Sequence, residues 1–466
     1  GNGHWMSSCP SPLGVFRVGP AGYRIELIRH MVHRLRIVAL LALTAGVVGA
    51  CAEETPTSLD EELLPREPIT LELRFPWADF GSNLAVFGGY GSPSELGSGV
   101  LANTFAGSLN ARTLVRYGAY PREVSVRDTT GTTRPDTLLT FIGGRVVACL
   151  DTIASTNDGP VTLALGATQE SWDATTVTWA TAVDTINDKR AWTVPGGGGV
   201  TPLATSVWDP AEGDSVWFEL DSTMVAAWAD TTNVNRGAII ELLTVGPRLA
   251  VRGTVLRLNT RPSLNPDSTF FLVSPQQTIS FVYDPSPDPP PDGIRVGGVP
   301  AWRTVLDVTI PTQLTGPAEL CAVVTCPVTL DPVELNFAAI VFRSRQPDLA
   351  FQPTDTIGID VRTVLNRAIL PKAPLGSTLV GSLGKRIGPE SFGVDAGSEV
   401  EIPITLFARD LVAGEDALGQ VPTKTLALLS VFEPVSFSYA SFYGPGTDQA
   451  PFLKLIVTIG RAVKLP

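Results

Sequence analysis

From Pro68 onward the chain is cut into short runs that suit strands and little else. "ITLELRF", "RTLVRYGAY", "REVSVRD", "DTLLTFIG", "GRVVACLDTI" and "VTLALGATQ" follow one another, each bounded by Gly, Pro, Asp or Asn. Their β-branched and aromatic side chains pack well on a pleated surface, whereas Gly and Pro stop a helix before it propagates. With 44 glycines and 39 prolines in 466 residues, many short strands are expected rather than long helices. The fold expected is all-β: two tandem antiparallel β-sandwich domains, jelly-roll-like in their strand spacing.

The stretch "DPSPDPPPDG" marks the boundary between them. Its prolines cannot donate to a ladder and hold the backbone extended, so 284–293 is read as a linker joining a sandwich at 68–283 to a second at 294–466. The motif order repeats across that linker. "RTLVRYGAYP" is echoed by "RTVLDVTIP", "GRVVACLDTI" by "ELNFAAIVFRS", "GPVTLALGATQ" by "TDTIGIDVRTV", "DSVWFELD" by "SEVEIPITLF", "RGAIIELLTV" by "TKTLALLSVF", and "QQTISFVYD" by "APFLKLIVTIG". Six echoes in one order suggest a diverged tandem repeat.

An address precedes the strands. "MVHRLRIVALLALTAGVVGAC" places basic residues before an apolar run, Ile37 to Val48, that is short for a membrane span and ends in small residues. Residues 31–50 read as a signal peptide and 1–30 as an upstream extension outside the native protein. The final "VGAC" resembles the lipobox of bacterial lipoproteins, which implies that Cys51 becomes the lipidated first residue. Several acyl chains, at about 0.8 kcal/mol per buried methylene, anchor a protein stably. The same resemblance, with Ala52 rather than Asp after the cysteine, implies an outer-membrane lipoprotein, periplasm-facing or at the cell surface. Residues 51–67 carry the lipidated cysteine and an acidic tether.

Charge and residue type exclude more than they identify. A net charge of −12 without a basic patch beyond the N-terminal region argues against a nucleic-acid partner. All three histidines, His4, His30 and His33, precede Cys51. Histidine-based nucleophile activation, general acid–base work and the usual zinc, copper or iron sites therefore have no ligands in the mature chain. No catalytic residue, metal ligand or cofactor is assigned. A carboxylate-pair glycosidase survives on residue type alone, but Asp and Glu fall in turn contexts such as "DTTGTTRPD". Cysteine use fits export: Cys321 and Cys326 in "CAVVTC" are close enough for a disulfide stapling a short loop, and Cys149 alternates as a buried strand thiol would.

The first block, roughly 70–285, resembles DNRLRE-type domains through "WDATTVTW" and the strand order around it. That resemblance implies a jelly-roll sandwich similar to carbohydrate-binding modules, found in cell-envelope proteins, with no catalytic apparatus. The second block has no counterpart of this motif.

Six of the eight tryptophans after Cys51 lie between Trp172 and Trp228. Taken as a strand, Thr175 to Ala180 turns Val177 and Trp179 to the same apolar face, which marks them as core. In "SVWFEL" the inward set is Val216, Phe218 and Leu220, leaving Trp217 on the outer face. Trp192 and Trp208 flank the "PGGGGV" segment, read as a flexible loop. Trp217, Trp192 and Trp208 are therefore the candidate ligand-binding residues. The leading reading is a non-catalytic surface lipoprotein that binds polysaccharide or cell-envelope glycan. The alternative is a structural or assembly protein acting through protein–protein contacts.

Overall fold

Period-two burial shows which way most strands face. In Val161–Thr168 it turns Val161, Leu163 and Leu165 inward, and in Ser215–Leu220 it turns Val216, Phe218 and Leu220 inward. The structure, a computed structural model, describes residues 68–460 except 230–236, 289–290, 323, 395, 432 and 435. Cys51, the leader-like segment and the tether lie outside the described residues. Two strands come first, β1 (Ile69–Pro76) and β2 (Gly81–Tyr90), separated by one helical turn at Trp77–Phe80.

The next strands are β3 (Gly99–Phe105), β4 (Leu109–Tyr117), the hairpin β5 (Val124–Arg127) and β6 (Thr133–Asp136), β7 (Leu139–Asp151) and β8 (Val161–Thr168). A second small hairpin, β9 (Thr181–Asp184) and β10 (Lys189–Ala191), precedes β11 (Val200–Trp208), β12 (Ser215–Leu220), β13 (Gly237–Leu242), β14 (Arg248–Pro262) and β15 (Phe270–Asp284). Nine of them form one antiparallel sheet in the order β11-β8-β13-β4-β15-β14-β7-β12, with β3 joining β14 to β4. The sheet folds over on itself. β15 pairs β14 through Phe270–Pro275 and then β4 through Gln276–Asp284. Leu163 and Ile240 of one half therefore share a buried cluster with Val146, Phe218 and Leu256 of the other. Burying each such side chain stabilises the fold by about 1.5–3 kcal/mol relative to exposure.

Beyond the proline-rich stretch run β16 (Gly293–Gly297), β17 (Ala301–Val308), β18 (Gln313–Leu314), β19 (Val328–Thr329), β20 (Leu335–Arg343) and β21 (Ile357–Val364). β22 (Leu375–Thr378), β23 (Lys385–Ile387), β24 (Glu399–Pro403), β25 (Thr425–Ser430), β26 (Tyr439–Tyr443) and β27 (Phe452–Ile459) complete the set. They build an eight-stranded sheet, β22-β21-β25-β17-β16-β26 with β23 on β21 and β2 on β17, and a four-stranded sheet, β1-β27-β20-β24. Phe342 of the smaller sheet meets Phe442 of the larger at 5.6 Å between ring centres. The fold is thus all-β and of sandwich type.

Pairings in the second set follow those in the first. β8-β13-β4 corresponds to β21-β25-β17, and β14-β7-β12 to β27-β20-β24. A helix links β12 to β13, Ser222–Ala229, as another links β24 to β25, Thr405–Ala413. The last expected echo shifts: β27 stands where the later part of β14 stands, not β15, because β27 pairs β20 as β14 pairs β7. The counterpart of β15 is β1 with β2. They pair β27 and β17 as the two halves of β15 pair β14 and β4. A first block beginning at 68 is therefore corrected: Ile69–Tyr90 completes the second sandwich.

Nor is 284–293 a free spacer. Arg295 donates to the carbonyls of Pro287 at 2.9 Å and Asp288 at 2.5 Å. Beside it, Val100, Leu109 and Phe281 of the first sandwich share one buried cluster with Phe351, Phe437 and Tyr439 of the second. Phe437 lies 5.7 Å from Phe281 and 5.0 Å from Tyr283, both edge-on, a geometry aromatic pairs favour. The buried Arg248 guanidinium donates across to the Ala350 carbonyl at 3.1 Å. Residues Thr70–Thr458 form one compact unit. Thermal unfolding is accordingly expected as a single calorimetric transition, and Phe281→Ala, at about 3–5 kcal/mol for a buried aromatic, lowers it as one. Two separated transitions in the wild type would contradict the shared core.

Candidate functional site

The "WDATTVTW" motif folds as a turn rather than a strand. The Asp173 carboxylate accepts hydrogen bonds from the Thr175 N–H at 3.1 Å and hydroxyl at 2.6 Å, and from the Thr176 N–H and hydroxyl, both at 3.0 Å. The Thr175 hydroxyl is the main cause that holds the carboxyl below its usual range, against the opposing effect of desolvation. An Asp that satisfies the residues two and three positions on competes with ladder pairing. The strand expected at Thr175–Ala180 is therefore replaced by a loop, and extended pairing begins only at Thr181.

This loop and the glycines after it form a plug on the outer face of β4 and β13. Those strands are buried on both faces: Val115 and Ile240 face the sandwich interior, while Leu114 and Ile239 pack outward against Trp172, Val177, Val183 and Trp192. Val177 is core, as expected. Trp192 and Trp208 are not surface residues. They are 5% and 2% exposed, and their indole N–H groups donate to the carbonyls of Thr178 and Gly213, each at 2.9 Å. Both are withdrawn as ligand contacts. Burial of an indole needs a partner for its N–H, and each finds one locally.

"PGGGGV" is likewise not a flexible loop. Gly196, Gly197 and Gly198 are buried with left-handed φ of 90°, 123° and 77°. A Cβ on Gly196 would sit 2.9 Å from the Trp179 ring, and one on Gly197 2.4 Å from Ile239 Cδ1. The run of glycines lets the backbone lie directly on these side chains. Glu170 ties the plug's ends, accepting from the N–H groups of Thr193 at 3.2 Å and Gly199 at 3.0 Å. Burial works to raise its pKa, and a hydrogen bond from the Thr193 hydroxyl together with these two outweighs it, leaving the carboxyl below its usual value.

Trp179, expected in the core, is instead half-buried at the plug's rim, with the Arg112 guanidinium 5.3 Å from its ring. It lines a cavity of about 310 Å³ with Asn103, Asn110, Arg112 and Glu241. A second cavity of about 410 Å³ adjoins it through Glu241, floored by Ala164, Gly166 and Ala204. Together they make a groove across β11, β8, β13 and β4. At its centre Arg112 lies 3.4 Å from Glu241 and donates to the Gly196 carbonyl at 2.9 Å. Neighbouring pairs in the β13–β4 register, Ile240 opposite Thr113, bring these two charges side by side. No local motif announces Arg112, Glu241, Asn103 or Asn110, because only strand pairing gathers them.

Trp217 lies where the alternation puts it, outward and 41% exposed, with Arg145 over its ring at 4.2 Å. Its cross-strand row continues through Val147, Val255 and Pro275; the next row holds Glu219, Arg145, Arg257 and Val273. Phe271, 71% exposed, borders this flat face. Of the cysteines, Cys321 and Cys326 form the expected disulfide, 5.3 Å between Cα atoms. Cys149 is buried on β7. Among the described residues no group of three or more His, Cys, Asp or Glu is placed to hold a metal ion, and no helix is long and apolar enough to cross a membrane.

Gly197→Ala tests the plug. The substituted residue meets both a left-handed φ and Ile239, and a loss of about 1–3 kcal/mol is expected in chemical denaturation. Unchanged stability would show that the glycine run is not packed.

No family model matches the chain, and no curated protein matches it. Among solved structures, the cowpea mosaic virus top component, a naturally occurring empty particle, aligns with 78% of this chain and 89% of its own. Identity is 9% and the TM-score 0.12, a likeness too slight to carry an argument.

Proposed function

We propose that the protein is a non-catalytic surface module that binds polysaccharide or cell-envelope glycan, held at the outer membrane through lipidated Cys51. The observation that carries this reading is the partly buried indole of Trp179 in one groove with Arg112, Glu241, Asn103 and Asn110. A pyranose presents C–H groups to an aromatic face and hydroxyls to carboxylate, guanidinium and amide groups. A groove with an aromatic wall and a few convergent polar groups offers both. Trp217 supplies a second aromatic on the outer face of β12, where its ring already stacks with Arg145. The resemblance of the Trp motif to DNRLRE-type domains belongs to the same reading.

An assembly role is the alternative, and exposed Phe271 and Val273 beside the Trp217 rows favour it. Apolar side chains on a flat strand face suit a protein partner as well as a sugar.

A glycan array followed by titration calorimetry separates the two. Wild-type protein is expected to bind at least one polysaccharide, and Trp179→Ala and Glu241→Gln to weaken that binding about tenfold or more. Glu241→Gln keeps the side-chain shape, and an unchanged melting temperature shows that its loss of binding is not unfolding. Binding to no polysaccharide sinks the glycan reading. For the anchor, metabolic palmitate labelling of wild type and its disappearance in Cys51→Ser are expected; an unlabelled wild type refutes lipidation.

A further inference from the structure

The second sandwich departs from the first at two breaks, and both border one cavity. In the first, β14 and β15 run unbroken for 15 residues each. In the second, the counterpart of β15 is interrupted at Trp77–Phe80, between β1 and β2. The counterpart of β14 is interrupted at 444–451, between β26 and β27. A cavity of about 530 Å³ opens there, lined by Trp77 from the first break, Pro445 and Gly446 from the second, and Asn83, Asp292 and Gly293 between them. It is larger than either cavity of the Trp179 groove.

We infer that this cavity is a separate binding site for a neutral pyranose ring. The backbone that carries its polar groups is held rather than loosely placed. Asn83 and Asp292 both adopt left-handed backbone conformations, φ 51° and 49°, which non-glycine residues seldom occupy. The Gly444 N–H donates to the Asp292 carbonyl at 2.9 Å, and a Cβ on Gly446 would come within 2.9 Å of Asp292 Oδ1. The glycines thus let the 444–446 loop close against Asp292. Asn83 Nδ2 donates to Asp307 Oδ2 at 2.9 Å, which leaves its Oδ1 as an acceptor. The Asp292 carboxylate makes no hydrogen bond among the described residues. On the apolar side, Gly81 lies against the Trp77 indole, where a Cβ would come within 2.5 Å, and Phe80 meets the ring edge-on at 5.3 Å. The indole orientation is therefore fixed by packing.

A fixed indole supplies the stacking surface for the C–H face of a sugar, and Asp292 and Asn83 Oδ1 accept from its hydroxyls. The single ionised group lining the cavity is a carboxylate, which repels a uronate and selects an uncharged ring. A free monosaccharide and the end of a neutral polysaccharide present the same chemistry to this site.

This site goes beyond the groove under Trp179, and the full-length protein distinguishes them. Saturation-transfer NMR and calorimetry would use glucose, galactose and mannose, short neutral oligosaccharides of each, and galacturonate. With Trp179→Ala as background, saturation transfer to at least one neutral sugar's ring C–H groups is expected to persist. Trp77→Ala is expected to weaken that binding about tenfold or more. Asp292→Asn, which tolerates the same φ and keeps the fold, is expected to weaken it and to narrow the discrimination against galacturonate. Oligosaccharides binding more tightly than monosaccharides identify a chain end as the source; equal affinities identify the free sugar. Neutral-sugar binding that vanishes in Trp179→Ala, or that is unchanged in both Trp77→Ala and Asp292→Asn, overturns this site without touching the groove. Absence of any neutral-sugar binding in the wild type also overturns it.

Discussion

A sheet that folds over on itself needs a strand that leaves one layer and joins the other, and both sandwiches depend on such a strand. In the first, β15 does this within its own block, passing from β14 to β4. In the second the same passage is made by β1 and β2, drawn from the opposite end of the chain. Unpaired backbone groups inside a sandwich would each forfeit a hydrogen bond, so this closure is obligatory. Its consequence is interlocking. The first sandwich lies in sequence between a strand pair and the body that the pair completes, and Phe281, Tyr283, Phe351 and Phe437 fill the space where the two meet.

How much of this was legible in the sequence depended on the range of the signal. Alternation is local, so "VTLALGATQ" and "SVWFEL" reported their inward faces, and Trp217 was placed outward from five neighbours alone. The order of the motif echoes also survived, because strand order along the chain is local information. The partner of "ITLELRF" was not legible: Thr70 meets Thr458 through their hydroxyls at 2.7 Å, and nothing near either residue indicates the other. A proline-rich stretch likewise read as a spacer, although Arg295 holds its Pro287 and Asp288 carbonyls and the aromatic cluster beside it draws on distant strands.

The candidate site failed in a more instructive way. "TTVTW" has the period of a strand, yet Asp173 captures the backbone of the next residues and bends it into a turn. That one carboxylate moves Trp179 from the expected core to the rim of a groove, and so from a structural marker to the leading candidate contact. Trp192 and Trp208 moved the other way, because a run of glycines permits close packing as readily as it permits motion. Arg112 and Glu241 carried no signal at all, being 129 positions apart and adjacent only through the β13–β4 pairing.

The donated strand pair also fixes an order in time. β1 and β2 leave the ribosome before any other described strand, while their partners β17 and β27 are made late and last. The Thr70–Thr458 contact spans 388 residues, and until the far end emerges the first-made strands keep an open edge. Contacts of such separation are slow to form, and an unpaired edge that must wait is a template for pairing with another chain. The second sandwich is therefore the part of this protein most exposed to mispairing during synthesis, and its earliest residues are the last to find their place.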